Sequence, residues 1–339
     1  MPAPAVSVII PVHNAAATLQ RCVDSILGQT YTHTEIILVN DGSTDPSPAL
    51  CHTLAARHSN ILTISTPSRG CAAARNTGLA HARGQYITFL DSDDYWDSPT
   101  ALARTVSAAL AADAHIVLFG CRVERPDHNF APPTVYTAAP QTFAGSHNMA
   151  HLAMSVLRSG AGTGTGPHVP ASACMALYSH KVIPRQGFTP ENIIGGEEIL
   201  FKIQALLRSH TVVSLPIAPY RYTYTPGSIT KTADPQRFNR FKILRDTLTP
   251  LFAGTQHPHA ADLALVYAMT YILHTLRITP VLPAERRAIL TAMAADPVWE
   301  TLTIDTRLLT RRERLLLSLM RRHHTHILRA LFSIWRRLR

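Results

Sequence analysis

The sequence predicts an α/β fold, in which a mostly parallel sheet is covered by helices on both faces. Two patterns in the first 94 residues indicate this class. Short runs rich in β-branched residues alternate with segments whose apolar residues recur at helical spacing, and strands that alternate with helices form parallel βαβ units. Polar residues also follow several strands, and sheets of this kind bind ligands beyond the carboxyl ends of their strands.

The predicted elements of this region alternate strictly between strand and helix. The strands are expected at 6–12, 35–40, 61–64 and 86–90, and the helices at 15–29, 48–58 and 72–82. Further along the chain, 134–145 and 160–170 are rich in Pro, Gly, Ala and Thr, which predicts loops. Helical spacing returns at 197–208 and again between 236 and 278.

Composition and charge describe a folded protein whose basic residues are concentrated at one end. A chain of 339 residues has room for one large domain or for two, and 46% hydrophobic with 16% charged residues excludes a disordered chain. The net charge of +10 is uneven, because 307–339 hold ten arginines and one acid, Glu313. The other 306 residues hold 22 basic and 21 acidic side chains, so the body is nearly neutral.

Several classes of protein do not fit the sequence. The five cysteines are scattered without a CxxC pair, which argues against a disulfide framework or a zinc site and favours a reducing cytosol. The N-terminus lacks the basic region of a signal peptide, and no run of about 18 apolar residues predicts a transmembrane helix. His147 with His151 and the histidines at 323–326 lack acidic or Cys partners, so we predict no metal site there.

The strand at 86–90 ends in three carboxylates, Asp91, Asp93 and Asp94. Carboxylates so close repel one another, so a fold keeps them together where a cation lies among them. A hard divalent metal fits, and Mg²⁺ or Mn²⁺ favours phosphate oxygens as further ligands. The alternative is a solvated turn that caps a helix. Because Asp41 and the loop after Pro11 also follow strands, we expect all these groups at one sheet edge, which favours the metal site.

Taken in order, these segments resemble glycosyltransferase family 2, nucleotide-sugar enzymes with a Rossmann-like GT-A fold. The resemblance rests on residues 6–14, 24–31, 35–45, 70–79 (GCAAARNTGL), 84–94 (GQYITFLDSDD), 196–201 and 226–230. Each segment is weak alone, and their serial combination is specific. The resemblance implies a GT-A domain over 1–232, with a nucleotide-binding half at about 1–125 and an acceptor half at about 126–232. A helical extension at 233–306 and a basic amphipathic C-terminal helix at 307–339 complete the predicted organisation.

The resemblance also implies which residues bind the nucleotide-sugar. Pro11, Val12 and Asn14 would flank the base, and Asp41 would accept hydrogen bonds from a uracil or a ribose. Arg75 would bind a diphosphate or a base edge with its planar guanidinium. Its alternative is a structural ion pair with one of the Asp residues.

Asp91 and Asp93 form the DxD pair of the family pattern. Asp93 would ligate Mn²⁺ or Mg²⁺ most directly with Asp91 as the second metal residue, and Asp91 would also contact the ribose or metal-bound water. Ser92 would bind the nucleotide-sugar together with Asp91. Asp94 would orient the sugar or cap the next helix. The metal would neutralise the charge that grows on the leaving nucleoside diphosphate.

Inverting transfer needs a base that takes the proton of the acceptor hydroxyl. Glu197 and Glu198 begin a predicted helix, and the alternative explanation is that the helix dipole favours acids there. Within the family pattern the second acid, Glu198, is the expected base, with Glu197 as the other candidate. The family usually has Glu-Asp here, and the extra methylene of Glu198 moves its carboxylate by roughly 1.5 Å.

The C-terminal segment combines apolar residues at three- and four-residue spacing with arginines between them. A basic amphipathic helix suits an anionic membrane surface, so we predict a cytoplasmic protein held peripherally on the inner face of the cytoplasmic membrane. Binding of nucleic acid is not predicted, because Leu, Phe and Trp on one face would have no use there. The alternatives are a terminal helix that packs on the rest of the protein, or a dimerisation helix.

The predicted function is therefore an inverting, metal-dependent glycosyltransferase of bacterial polysaccharide biosynthesis. It would move a sugar from a nucleotide-sugar, UDP-linked, to a hydroxyl of a surface glycan or a lipid-linked oligosaccharide. Two other classes stay open: a nucleotidyltransferase and a non-catalytic nucleotide-sugar-binding membrane-associated protein. A processive synthase would need transmembrane helices and a Gln-x-x-Arg-Trp motif, and residues 236–240 (QRFNR) contain no Trp.

Overall fold

The computed structural model describes residues 6–124, 130–158, 169–223, 234–279 and 281–337. The chain divides into two compact units. The first comprises 1–156, 167–191 and 196–225, and the second comprises 157–166, 192–195 and 226–339. Most of the predicted loop at 160–170, the family segment at 226–230 and the predicted boundary at 232 lie outside the described residues.

The first unit is built on an eight-stranded sheet. Its elements, in chain order, are β1 (Val6–Val12), α1 (Leu19–Leu27), β2 (Thr34–Asp41), α2 (Ser47–Arg57), β3 (Ile61–Thr66), α3 (Cys71–His81), β4 (Tyr86–Phe89), β5 (Tyr95–Trp96), α4 (Ala101–Ala111), β6 (Ile116–Leu118), β7 (Cys121–Val123), β8 (Gln141–Ala144), α5 (Gly145–Arg158), β9 (Ala176–Ser179), α6 (Glu197–Leu207), β10 (Thr211–Ser214) and β11 (Tyr220–Tyr222). The last two residues of α5 belong to the second unit.

The strand order of the large sheet is β3-β2-β1-β4-β9-β6-β10-β8. The pairs among β1, β2, β3 and β4 are parallel, as is the pair of β6 with β10. β9 runs antiparallel to both of its neighbours, and β8 runs antiparallel to β10. A second sheet has the order β5-β11-β7. The predicted α/β class with a mostly parallel sheet is therefore confirmed.

The central strands are mainly apolar because helices cover both faces of the sheet. Every residue of β1 and of β2 is buried, including polar Ser7 and Glu35. These two polar residues pair with each other, since the Ser7 hydroxyl donates to Glu35 Oε1 at 2.6 Å. Arg83 donates to the other oxygen of Glu35, so the buried carboxylate is fully paired.

The predicted elements of the first 94 residues are present in the expected order, with changed ends. The largest change is in α1, which begins at Leu19 rather than at residue 15. The backbone N–H groups of Ala15 and Ala16 donate to Ser47 Oγ (2.8 Å) and Asp45 Oδ2 (3.0 Å). Because Asp45 lies between β2 and α2 and Ser47 begins α2, a tertiary contact sets the start of α1.

The prediction of a loop over 134–145 is wrong, because this stretch contains β8. β8 lies at the edge of the large sheet and pairs with β10, so that Phe143 lies opposite Val212. Three of its four residues are exposed. An edge strand that faces solvent has no need of an apolar run, and so it lacks the pattern that predicts a strand.

The second unit is helical in its described part. It contains α7 (Arg237–Phe252), α8 (Leu263–Ile278), α9 (Pro283–Ala295), α10 (Val298–Thr301), α11 (Arg311–Arg321) and α12 (Thr325–Arg337). Trp299 is fully buried, stacks on Phe238 at 5.2 Å between ring centroids, and donates its indole N–H to Met293 O. The predicted parts 233–306 and 307–339 lie in this one unit.

The prediction of one helix over 307–339 is also wrong, since two helices, α11 and α12, occupy most of it. Between them His323 takes a left-handed conformation with φ +51°. Its ring contacts Glu300 Oε1 at 2.6 Å and Ala294 O at 3.1 Å. These contacts hold the turn that ends α11, and they involve residues distant in sequence.

Much of the apolar face of these two helices is buried within the second unit. The buried side chains are Leu316, Leu317, Leu319, Met320, Leu328 and Phe332. α12 packs on α9 and α11, as one alternative from the sequence anticipated. Leu315, Ile327, Leu331 and Ile334 are nevertheless exposed. No helix in the described parts of the chain is long and apolar enough to cross a membrane.

Candidate functional site

The carboxyl ends of β1, β2 and β4 meet at one edge of the sheet. These strands are parallel and in register, with Val12 opposite Asn40 and Ile9 opposite Phe89. Polar residues follow each strand at this edge, as the sequence predicted.

The three carboxylates after β4 have different environments. Asp91 and Asp93 are partly exposed, whereas Asp94 is 1% exposed. Asp94 accepts a hydrogen bond of 2.5 Å from the Tyr220 hydroxyl and one of 2.7 Å from the backbone N–H of Thr223. Burial, together with the charges of Asp91 and Asp93, raises the pKa of Asp94 to about 8. Asp94 thus joins this loop to β11 and does not cap a helix, because β5 follows it.

Arg75 on α3 lies between two of the predicted site residues. Its Nη2 donates to Asp91 Oδ1 at 2.8 Å and lies 3.2 Å from Glu198 Oε1. The residue is 3% exposed, and its guanidinium also lies 5.4 Å from the ring centroid of Phe188. The ion pair that the sequence offered as the alternative for Arg75 is therefore present, and it links the DxD pair to the predicted base.

The two predicted catalytic acids occupy the first turn of α6, after Gly196 with φ +80°. Glu198 Oε1 accepts hydrogen bonds from the Ser172 hydroxyl (3.3 Å) and the Ala173 N–H (3.2 Å), in addition to its ion pair with Arg75. Burial and the negative charge of Glu198 raise the pKa of Glu197 to about 7, although Arg75 opposes this effect. The pair thus combines an oriented carboxylate with one that titrates near neutral pH.

Lys202 is a buried residue that the sequence analysis did not single out. It is fully buried and donates to the carbonyl oxygens of Pro170 (2.8 Å) and Ser172. Burial lowers the pKa of Lys202 to about 7, while Glu198 opposes this shift. Lys202 follows Glu198 by four residues, so both lie on one face of α6 and both hold segment 170–173. The sequence feature that could have indicated Lys202 is a basic residue within an apolar helical run.

The predicted nucleotide-binding residues lie at the same edge of the sheet, where two of them hold the loops in place through hydrogen bonds. Asp41 is 4% exposed, and its two carboxylate oxygens accept from the backbone N–H groups of Arg69 and Gly70, each at 2.9 Å. Asn14 has φ +50°, and its Oδ1 accepts from the N–H of Thr44 at 2.8 Å. Pro11 and Val12 are buried at the end of β1.

The turn that begins α3 depends on a glycine and on Glu191, an acid that the sequence did not indicate as a site residue. Gly70 has φ +94°, and a Cβ there would lie 2.8 Å from Glu191 Oε2. Glu191 Oε1 accepts from the backbone N–H of Ala72 at 2.6 Å. Glu191 therefore caps the N-terminus of α3, where the helix dipole favours an anion.

Arg21 on α1 holds the acidic loop from its other side. Its Nη2 donates to the carbonyl oxygen of Asp93 (3.0 Å) and to the Thr223 hydroxyl (3.1 Å). Its guanidinium stacks over the Tyr95 ring at 4.5 Å from the centroid. The Asp93 backbone is thus fixed by a residue whose helical position gave no sign of this contact in the sequence.

The donor set fits a hard divalent cation that takes further ligands from phosphate and water. Asp91 and Asp93 supply carboxylate oxygens, and their charge raises the pKa of the neighbouring Asp94, which shows a local negative field. No group of three His, Cys, Asp or Glu residues is arranged for a metal ion in the described ranges.

A mostly parallel sheet with an acidic loop beyond a central strand, and a helix that presents two further acids beside it, is typical of GT-A glycosyltransferases. The family model described as glycosyl transferase family 2 matches residues 7–183, which is more than half of the chain. The chain belongs to this family of glycosyltransferase enzymes. The predicted family and enzyme class are confirmed.

The curated relatives match a short part of the chain. Glycosyltransferase GlyA of Streptococcus pneumoniae is 48% identical over 90 residues, which are 26% of this chain and 13% of that protein. The uncharacterized glycosyltransferase EpsJ of Bacillus subtilis is 45% identical over 95 residues, 28% of each chain. Chondroitin synthase of Pasteurella multocida is 44% identical over 92 residues, 27% of this chain and 10% of that one. The chain thus spans less than a third of the length of each of these relatives.

Solved structures extend the likeness of fold over almost the whole chain. A crystal structure of S. aureus TarS 1–349 in complex with UDP-GlcNAc covers 98% of this chain and 91% of its own, with a TM-score of 0.69. The sequence identity is 16%, so this likeness shows the fold alone. The same fragment in complex with UDP has a TM-score of 0.68.

Proposed function

We propose that the protein is an inverting, metal-dependent glycosyltransferase that uses a nucleotide-sugar, UDP-linked, as its donor. The acceptor would be a hydroxyl of a bacterial surface glycan or of a lipid-linked oligosaccharide. The observation that carries the proposal is the cluster Asp91–Arg75–Glu198, which brings the donor-side acids and a base into one site. The TarS complexes with UDP and UDP-GlcNAc and the name of chondroitin synthase support the choice of donor and acceptor class.

On the donor side, Asp93 and Asp91 would hold Mn²⁺ or Mg²⁺, with Ser92 between them. When bound, the metal supplies Lewis-acid stabilisation of the leaving diphosphate. Asp41 and Asn14 hold the loops that, with Pro11 and Val12, would form the nucleotide pocket. Arg75 is too deeply buried to contact the donor without moving, so we assign it to orienting Asp91 and Glu198.

On the acceptor side, we assign the base to Glu198. Three donors, from Arg75, Ser172 and Ala173, converge on its Oε1 and fix its direction. Base catalysis requires a carboxylate held within hydrogen-bond reach of the acceptor hydroxyl. Glu197 is the second candidate, because a carboxyl with a pKa of about 7 is also matched to proton transfer at neutral pH.

We infer that the C-terminal helices attach the protein to an anionic membrane surface. Residues 307–339 hold ten arginines and one acid, and part of their apolar surface is exposed although the rest is buried. Attachment would place the enzyme peripherally on the cytoplasmic face of the membrane, near a lipid-linked acceptor. We propose no nucleic-acid partner.

Thermal stabilisation by nucleotides tests the donor site directly. A ligand that binds the folded state raises the melting temperature, and the free energy gained grows with the logarithm of the ligand concentration relative to its Kd. We expect UDP or a UDP-sugar with Mn²⁺ to raise it, and Asp93→Asn to abolish the part that depends on Mn²⁺. Asp24→Asn, an exposed acid on α1, is the matched control and should behave like the wild type. A metal response that survives in Asp93→Asn would refute the assignment of Asp93.

A further inference from the structure

α12 carries two apolar stripes, and the fold covers one of them. Leu328 and Phe332 are 1% and 5% exposed and pack within the second unit. Ile327, Leu331 and Ile334 are 37%, 39% and 57% exposed. Their spacing of four and three residues places these three on one face of the helix. An apolar face is thus uncovered on the most basic part of the chain.

Trp335 lies at the border between these two stripes. At about 100° per residue, its direction falls between those of Leu331 and Leu328. Trp335 is partly exposed, whereas the other two tryptophans, Trp96 and Trp299, are 3% and 0% exposed. Its indole therefore stands next to the exposed stripe without being part of the core.

Two arginines from other helices stack on this indole. The guanidinium carbon of Arg277, on α8, lies 4.6 Å from the Trp335 ring centroid, and that of Arg312, on α11, lies 4.1 Å from it. Cation–π contacts at such distances hold a guanidinium in place without neutralising its charge. Three helices thus bring two positive charges to one indole ring.

Neither guanidinium has a carboxylate partner within salt-bridge distance in the part of the chain that the structure describes. Other cations of this unit are paired, such as Arg245 with Asp262. The neighbouring acid, Glu313, accepts from the Thr310 N–H in the capping box of α11. Arg277 Nε is buried and has no hydrogen-bond partner among the described residues.

The positive charges of Arg277 and Arg312 change the pKa values of nearby groups. Burial and the charge of Arg277 lower the pKa of Arg312. Partial burial and the charges of Arg277 and Arg312 also lower the pKa of His274. An anion bound close to these guanidiniums would relieve this repulsion.

We propose that Arg277 and Arg312, held on Trp335, bind the phosphate group of an anionic phospholipid. Planar guanidiniums donate two parallel hydrogen bonds to phosphate oxygens, which an ammonium does not do. The lipid is the source that fits, because the exposed stripe of Ile327, Leu331 and Ile334 lies beside the two charges and would enter the interface with the acyl chains. The proposal rests on the membrane attachment proposed above and is independent of the transfer reaction.

Vesicle binding of charge-conserving variants tests the site. The probes are phosphatidylcholine vesicles with and without phosphatidylglycerol, and binding is measured by co-sedimentation of the full chain. We expect Arg277→Lys and Arg312→Lys to bind the phosphatidylglycerol vesicles about tenfold more weakly than the wild type, since the charge stays and the paired hydrogen bonds are lost. Arg314→Lys, at an exposed position of α11, is the matched control and should bind as the wild type. Equal binding by all four proteins would overturn the site.

A measurement on the wild type keeps the test valid where a variant fails to fold. Trp335 is the exposed tryptophan, so its fluorescence should shift with phosphatidylglycerol vesicles and not with phosphatidylcholine alone. A shift caused by inorganic phosphate but not by the vesicles would overturn the lipid as the ligand. If the wild type does not sediment with either vesicle, membrane attachment and the site both fail. If it sediments and the lysine variants match it, attachment stands and the phosphate site fails.

Discussion

The guanidinium of Arg75 donates to Asp91 Oδ1 at 2.8 Å, and the same nitrogen lies 3.2 Å from Glu198 Oε1. Asp91 belongs to the loop after β4 and Glu198 to the first turn of α6. One buried cation therefore holds together the acid proposed for the donor side and the acid proposed for the acceptor side. Arg75 thus positions both carboxylates at once.

Replacing Arg75 by Met should destabilise the first unit. The variant would leave two carboxylates close together without a cation, and their side chains are 30% and 25% exposed. Breaking a buried ion pair in this way costs about 3 kcal/mol of unfolding free energy, measurable by urea unfolding. Arg307→Met, which removes the exposed pair with Asp305, should leave the urea midpoint unchanged. Equal losses in the two variants would contradict this role of Arg75.

Replacing Glu198 by Gln should reduce sugar transfer by about 10²–10⁴-fold at all pH values, while donor binding is kept.

Glu197→Gln should act differently, because burial and Glu198 raise the pKa of Glu197 to about 7. Above this pH the negative charge of ionised Glu197 stabilises the positive charge that develops on the acceptor hydroxyl as it attacks, so the wild-type rate should rise through pH 7 and the rise should vanish in Glu197→Gln. Glu285→Gln, an exposed acid on α9, is the control. Full activity in Glu198→Gln with collapse in Glu197→Gln would move the base to Glu197.

Lys202 makes the stability of the fold depend on pH in a defined direction. Burial lowers the pKa of Lys202 in the folded state to about 7, whereas the unfolded chain holds this proton up to about pH 10.5. The unfolded state binds more protons between these values, so the free energy of unfolding should increase as the pH rises from about 7 to about 10.5. Lys202→Met should flatten this increase in urea unfolding, and Lys181→Met, at an exposed position, should retain it. A Lys202→Met protein with the wild-type slope would refute the assignment.

Replacing Leu331 by Ser should weaken binding to anionic vesicles by about tenfold, since an apolar side chain no longer enters the interface. The melting temperature should change little, because Leu331 is 39% exposed in the fold. Leu110→Ser, which changes a 61% exposed leucine on α4, is the matched control and should leave vesicle binding unchanged. Membrane attachment through α12 would be rejected if the two variants bound equally well.

The regular part of the fold could be predicted because its signals are local. β1 and β2 are buried along their whole length, so each contains a run of apolar residues that is visible in the sequence. The position of Asp91 and Asp41 after parallel strands was enough to place both at one sheet edge. β8 carried no such signal, since its pairing with β10 rather than its own composition makes it a strand.

The partners of the site residues could not be predicted, because they depend on contacts between distant segments. Arg75 had two possible roles from its sequence position, and its ion pair with Glu198 depends on the packing of α6, a much later helix. Lys202 was hidden among apolar residues, and its acceptors on Pro170 and Ser172 belong to a segment without a motif.

At the C-terminus, the predicted helical structure is present, but the segment forms two helices rather than one. The contact of His323 with Glu300 divides the segment into α11 and α12, and buried Leu317 and Met320 tie α11 to the second unit. Removal of 307–339 would therefore expose this core as well as delete the basic surface. Single substitutions such as Leu331→Ser separate these two effects.

The contacts of Arg75 also bear on the order in which the protein folds. Asp91 is 16 positions from Arg75 in sequence, whereas Glu198 belongs to a much later helix. Closing a longer loop costs more chain entropy. The pair of Arg75 with Asp91 therefore costs less chain entropy to form, and the pair with Glu198 is expected to form later. A nascent chain that has folded its first four strands would already hold its donor-side acids in place. It would still lack the proposed base, so a partly synthesised protein would be unable to carry out the transfer proposed here.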